Sequence, residues 1–169
     1  MRISRRGTLA LFAGLAAFAG LPARAQGAVV KVSLWDKGPD SMDPLGTAPP
    51  MGMAMPGADS AKATMGVTAD PASAPAGEVT FEVVNDSKDT VHEMIVAPVK
   101  DPSTPLPYDK ETQRVDEEAA GHLGEVSELD PGKSGALRLS LEPGKYILYC
   151  NIPGHYVLGM WTLFEVTPA

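Results

Sequence analysis

Cysteine and histidine are scarce in this chain of 169 residues, which has one cysteine and three histidines. A single cysteine cannot form a disulfide within the chain. It is therefore buried and inert, paired with another chain, or bound to a ligand. Long apolar runs are also missing. The most apolar stretch, Thr8–Leu21, is shorter than the roughly 20 residues that a membrane-spanning helix needs.

The N-terminus has the features of an export signal. Three arginines precede the apolar stretch, and the small-residue triplet "ARA" follows it. This order predicts a secretory signal, residues 1–25, that is cleaved before Gln26. The motif "SRRGTL" resembles a twin-arginine signal, although the apolar run also suits the general export route. We therefore expect a periplasmic protein.

Basic residues become scarcer still when the signal is removed. Residues 1–25 contain four arginines and no acidic residue, so the formal net charge goes from -7 to -11. A chain this acidic is repelled by nucleic acid and by anionic membranes, and it suits a basic protein surface. The remaining residues, 26–169, have the length of one domain with a sizeable core.

Short alternating segments dominate this domain and predict an all-β fold. Segments of this kind, separated by Gly/Pro turns and without a long amphipathic helix, are typical of an antiparallel β-sandwich or barrel. The predicted strands cover residues 28–37, 78–83, 90–98, 135–141, 144–150 and 160–166. Residues 38–65 are rich in Met, Pro and Gly without a period, which predicts a flexible, disordered insertion. Residues 101–128 form an acidic connection with one helical turn at 117–120.

The stretch "YCNIPGHYVLGM" contains the main chemical signal. Cys150, His155 and Met160 follow one another at steps of five, between two predicted strands. His92 shares a strand face with apolar Met94, where an unpaired imidazole is costly to bury. One thiolate, two imidazoles and one thioether suit copper, because thioether is not a usual zinc ligand. A trigonal Cys-His-His site with a weak axial Met is an electron-transfer site.

Two segments resemble the cupredoxins, the small blue copper proteins that include plastocyanin, azurin and rusticyanin. They are "AGEVTFEVVNDSKDTVHEMIV" and "PGKYILYCNIPGHYVLGMWTLFEV". The resemblance implies a Greek-key β-sandwich, an extracytoplasmic location and one-electron transfer. It also implies one type 1 copper, with His92, Cys150 and His155 as strong ligands and Met160 as the axial ligand. Family members often have Asn or Ser where this chain has Glu93, so the usual hydrogen bond to the thiolate is an open point.

Two functions remain open at this stage. The first is a monomeric electron carrier that docks redox partner proteins through an exposed apolar patch around His155, helped by acidic residues. The second is a copper-homeostasis or copper-delivery protein. In that case Met51, Met53 and Met55 capture cuprous ion on a flexible segment, although these residues also fit a simple low-complexity linker.

An enzymatic function is not expected. Copper oxidases and nitrite reductases need several additional histidines for a catalytic copper, and this chain has three in total. His122 lies in a polar connection without a partner at ligand spacing, which predicts a solvated loop residue. A Cys-His hydrolase is also not expected, since no oxyanion donor or orienting residue accompanies Cys150 and His155.

Overall fold

Two large β-sheets, a small two-stranded one and their connections make up residues 27–169, which are the residues that this computed structural model describes. The predicted export signal, residues 1–25, lies outside them, as does Gln26 after its predicted cleavage site. The strands are β1 Ala28–Asp36, β2 Met65–Asp70, β3 Ser73–Pro75, β4 Gly77–Asn85, β5 His92–Val99, β6 Tyr108–Asp109, β7 Arg114–Val115, β8 Gly124–Leu129, β9 Ser134–Leu141, β10 Gly144–Tyr149 and β11 Trp161–Thr167. One α-helical turn, α1, covers Glu117–Ala120, and 3-10 turns cover Pro39–Met42, Ser60–Lys62 and Tyr156–Leu158.

The two large sheets have the strand orders β2-β1-β4-β9 and β3-β11-β10-β5-β8, and β6 pairs with β7 in the small sheet. Most neighbouring strands are antiparallel, but β1 pairs in parallel with β4, and β3 pairs in parallel with β11. The predicted β-sandwich is thus confirmed, as a mixed and not a wholly antiparallel one. Its inner layer is apolar because alternate residues of each strand face the opposite sheet.

A second apolar layer covers the outer face of the five-stranded sheet. On β5 and β10 the residues alternate between the two layers: Val96 and Leu148 belong to the inner core, whereas Ile95 and Ile147 belong to the outer layer. Connections from the rest of the chain cover this layer, and Met53 and Val115 are among the residues they bury there. Strand β5 is consequently buried on both faces.

The Met-rich segment 38–65 differs from the sequence-based expectation of a disordered insertion. Met51 and Met53 are 5% and 2% exposed, and the Met51 N–H donates to the Val157 carbonyl at 2.7 Å. The segment ends at Met65, which opens β2 and is fully buried. Unbranched methionine side chains fill irregular gaps without any helical or strand period. Burying each contributes about 1.5–3 kcal/mol, which helps to offset the entropy of ordering the segment.

Candidate metal centre

Three of the four residues singled out in the sequence meet at one end of the sandwich. Each offers one ligand atom, and these atoms of His92, Cys150 and His155 all lie within 4.8 Å of one another. The Nδ1 atoms of the two histidines are 3.2 Å apart, and His155 Nδ1 is 3.4 Å from Cys150 Sγ. His92 and Cys150 are fully buried, and His155 is 3% exposed.

The loop between β10 and β11 brings its own two ends together. Cys150 follows β10 directly, and Met160 immediately precedes β11. The Cys150 N–H donates to the Met160 carbonyl at 3.1 Å, and the Met160 N–H donates to the His155 carbonyl at 3.1 Å. Gly159 makes the required turn with a φ of 101°, a conformation that favours glycine. The backbone therefore couples all three loop residues to one another.

Met160 is fully buried and belongs to the inner core cluster that also contains Cys150 and Met94. The thioether is therefore shielded from water, and the loop closure holds the Met160 backbone against that of Cys150. The structure thus places the Met160 backbone against Cys150, and the axial-ligand role of its thioether stays a prediction.

A buried carboxylate orients His92. Asp36 Oδ2 lies 2.9 Å from His92 Nε2, and the side chains of His92 and Asp36 are 0% and 2% exposed. A carboxylate can only accept here, so Nε2 carries the proton and donates it. The lone pair of Nδ1 is then free to face the other donors. Sequence reasoning missed Asp36, since nothing around it differs from an ordinary strand end.

Burial keeps the donor groups uncharged in the metal-free protein. It raises the pKa of the Cys150 thiol to about 12. Burial, together with the neighbouring His92, lowers the pKa of His155 to about 4. The pKa of His92 is lowered by burial too, partly offset by Asp36. Both imidazoles are therefore neutral at neutral pH and can act as ligands without losing a proton.

Backbone N–H groups surround the sulfur. The Glu93 N–H donates to Cys150 Sγ at 3.5 Å, and a contact from the Ile152 backbone also lowers the pKa of the thiol against the effect of burial. The open point about Glu93 is thereby resolved, because its backbone reaches the sulfur. The Glu93 carboxylate makes a different contact, since its Oε1 accepts the Asn151 N–H at 3.1 Å and so ties β5 to the ligand loop.

Asn151 is a further residue that the sequence did not single out. Its amide exchanges hydrogen bonds with the backbone of Val115 at 2.6 and 3.0 Å, and it donates to Glu117 Oε1 at 2.7 Å. It is 2% exposed. The loop residue next to the thiol is thus fixed to the acidic connection on the outer face. Asn151 lies inside the quoted motif, but only its partners, some 35 positions earlier, show its role.

The Met-rich segment packs along the ligand loop on both sides of His155. A side chain added at Gly154 would meet Leu45 Cδ2 at 2.7 Å, and the Met53 N–H donates to Tyr156 Oη at 2.9 Å. Past the loop, Trp161 Nε1 donates to the Met51 carbonyl at 2.7 Å. The expected exposed patch around His155 is therefore wrong for the histidine itself, which is buried.

The burial of the methionines also bears on copper capture by this segment. The side chains of Met51 and Met53 pack in the protein, and only Met55 is partly exposed. Two of the three thioethers are therefore buried in the packing and are not accessible to solvent. This arrangement favours a structural role for the segment.

His122 lies apart from the centre, as expected. Its side chain is 34% exposed, and its Nε2 atom is 3.8 Å from Glu125 Oε2. Glu117 completes a surface group whose candidate ligand atoms lie within 4.8 Å of one another. Exposed acidic groups are common without a metal ion, so we assign this group no role.

Solved structures of blue copper proteins are similar to this fold. Rusticyanin, described as a copper protein, is 18% identical over 83% of this chain and 79% of its own, with a TM-score of 0.50. Reduced auracyanin from Roseiflexus castenholzii is 17% identical over 85% and 99%, with a TM-score of 0.47. Auracyanin A from Chloroflexus aurantiacus, a "blue" copper protein, is 21% identical over 56% and 82%, with a TM-score of 0.41.

The likeness to rusticyanin shows that the chain has the cupredoxin fold. The resemblance drawn from two sequence segments is thus confirmed for the architecture. No protein-family profile matches the sequence, and no curated protein matches it. Within residues 27–169, none of the helices is long and apolar enough to cross a membrane.

Proposed function

We propose that the protein is a type 1 copper protein that carries single electrons between redox partners. One observation carries the proposal. A thiol and two neutral imidazoles converge within 4.8 Å in a buried site, with a buried thioether on the same loop. Blue copper sites combine this trigonal set with a weak axial Met.

The donor set fits copper better than zinc. Structural zinc sites use thiolates, imidazoles and carboxylates in a tetrahedron, and thioether is not among their usual ligands. No carboxylate lies among the converging atoms, because Asp36 binds the far side of His92 and Glu93 binds Asn151. The soft sulfur atoms and the borderline imidazoles suit a metal that cycles between a soft and a harder oxidation state.

The protein's own residues keep this geometry constant. Copper, when bound, supplies the one-electron redox change. The hydrogen bonds between Cys150, Met160 and His155 fix the loop, while Asp36 and Glu93 fix the two sides of β5. The apolar core excludes water from the site. Because the donors are held before an electron arrives, little reorganisation accompanies its transfer.

The location and partners that we propose rest on the sequence signals and on charge. Residues 1–25 have the order of an export signal, so we infer that the protein acts in the periplasm. The acidic chain, with a formal net charge of -11 after cleavage, favours redox partners that present a basic surface.

A visible absorption spectrum tests this function. Copper(II) bound by the Cys150 thiolate is expected to give an intense blue charge-transfer band. A Cys150→Ser variant is expected to lose the band, whereas the matched control His122→Ala keeps it, since His122 lies outside the centre. Reversible one-electron voltammetry of the blue form is expected to follow. A colourless copper(II) complex, or a Cys150→Ser variant with an unchanged spectrum, contradicts the proposal.

A further inference from the structure

In residues 27–169, Asp36 is the one charged side chain that hydrogen-bonds to one of the four predicted donor side chains. It ends β1, far from the ligand loop in sequence, and its side chain is 2% exposed. Burying a carboxylate is costly unless its oxygens are satisfied. A buried carboxylate at Nε2 of His92 therefore indicates a role in the function of that histidine.

Both carboxylate oxygens are held in place. Oδ1 accepts the Gly38 N–H at 2.8 Å, in a turn where Gly38 has a φ of 100°. Oδ2 accepts a hydrogen bond from the His92 Nε2–H at 2.9 Å. The nearby Ser87 side chain helps to lower the pKa of the carboxyl, which favours its charged form. The carboxylate thus has one fixed orientation, with one oxygen directed at the imidazole.

This contact does more than fix the ring. A neutral acceptor such as a backbone carbonyl selects the Nε2–H tautomer equally well, but it adds no charge. The ionised carboxylate makes the imidazole a more basic ligand, as in the carboxylate–histidine–metal triads of other metalloproteins. Its negative charge also favours the more positively charged state of a metal held at Nδ1.

We propose that Asp36 is a positioning residue for His92 that fixes its proton on Nε2 and, through its charge, lowers the reduction potential of the centre. The inference rests on the proposed function, because the potential exists only if copper binds. Asp36 acts through His92 and does not itself contact the metal.

Removing the charge while keeping the shape tests this proposal. Asp36→Asn is expected to weaken copper(II) binding about 10- to 100-fold, with a smaller effect on copper(I). Each tenfold loss of copper(II) over copper(I) affinity raises a one-electron potential by about 59 mV. Asp40→Asn is the matched control, since Asp40 is an exposed carboxylate in the adjoining turn. Affinities come from chelator competition and potentials from voltammetry.

A second measurement needs no variant. Two-bond proton–nitrogen NMR correlations of the metal-free wild-type protein distinguish the two neutral tautomers of His92. The Nε2–H form is expected, and an Nδ1–H form overturns the proposal even if the Asp36→Asn variant does not fold. A third measurement returns to the variant: cobalt(II), which does not change oxidation state here, is expected to show the same loss of affinity in Asp36→Asn.

The outcomes separate the two ideas. If the wild-type protein binds copper with a blue band but Asp36→Asn has the potential of Asp40→Asn, the role of Asp36 is wrong and the proposed function stands. If the wild-type protein binds no copper(II), the proposed function is wrong, and the role of Asp36 in setting a reduction potential is wrong as well. A raised potential in Asp36→Asn alone supports both.

Discussion

Glu93 gives the metal-free protein a pH-dependent stability that one substitution removes. The residue is 6% exposed, on the outer face of β5. Burial raises the pKa of its carboxyl from 4.5 to about 7, against the Asn151 hydrogen bond that lowers it, and the carboxylates of Glu125 and Glu117 raise it further. The folded protein thus holds the Glu93 proton more tightly than the unfolded chain does.

The stability of the folded protein depends on pH because folding is linked to protonation of Glu93. Stability from this group is fully present below about pH 4.5 and is lost as the pH rises through about 7. The difference between these pKa values, at about 1.36 kcal/mol for each pKa unit, gives roughly 3 kcal/mol. Glu93→Gln keeps an oxygen that accepts the Asn151 N–H but never ionises. At pH 8 the variant is therefore expected to be more stable than the wild type by up to about 3 kcal/mol.

Urea unfolding of the metal-free protein, in the presence of a chelator and a reductant, measures this at pH values between 4.5 and 8.5. The wild type is expected to lose stability across this range relative to Glu93→Gln. Glu82→Gln serves as the control, because Glu82 is an exposed strand residue. This variant keeps Glu93 and is therefore expected to lose stability in the same way as the wild type. Parallel curves for the wild type and Glu93→Gln, offset by a constant, refute the reasoning.

Three more predictions concern the loop and the segment that covers it. Loading metal-free protein with cobalt(II) at pH 7 is expected to release about one proton per metal, because the Cys150 thiol has a raised pKa and must lose its proton to bind. Calorimetry in buffers of different ionisation enthalpy measures the number of protons released, and a number near zero contradicts a protonated thiol. Tyr156→Phe leaves the Met53 N–H without its acceptor and is expected to cost about 1–3 kcal/mol in urea unfolding. Met53→Ala, at 2% exposure, is expected to cost about 2–5 kcal/mol, whereas a loss below 0.5 kcal/mol, roughly that of a surface site, means the segment is not packed there.

Local signals predicted the loop and most of the sandwich. The alternation in β4 and the apolar runs of β10 and β11 are strong, and the Cys150–His155–Met160 spacing lies within one loop. Strand β8 lies inside the acidic connection and was not predicted, because its sequence "GEVSEL" has one buried residue, Val126. An edge strand with so few apolar residues has little pattern to detect.

The supporting contacts of the centre could not be predicted in the same way. Asp36 meets His92 across 56 positions, and Asn151 meets Glu93 across 58. Such pairs depend on which strands become neighbours, and the sequence patterns of β1 and β5 taken separately do not state this. The packing of segment 38–65 escaped prediction for another reason. Methionine fills space without a period, so a buried Met-rich segment and a free one look alike.

Redox tuning and partner selectivity depend on different parts of the chain, because segment 38–65 covers the ligand loop. The donors and their hydrogen bonds belong to the sandwich, whereas the surface beside His155 is built from segment 38–65 through contacts such as Leu45 with Gly154. If electrons leave at this end, a partner meets the segment first. Exchanging its outward-facing residues would then change which partner binds while leaving colour and potential intact, so that selectivity and redox tuning can evolve independently.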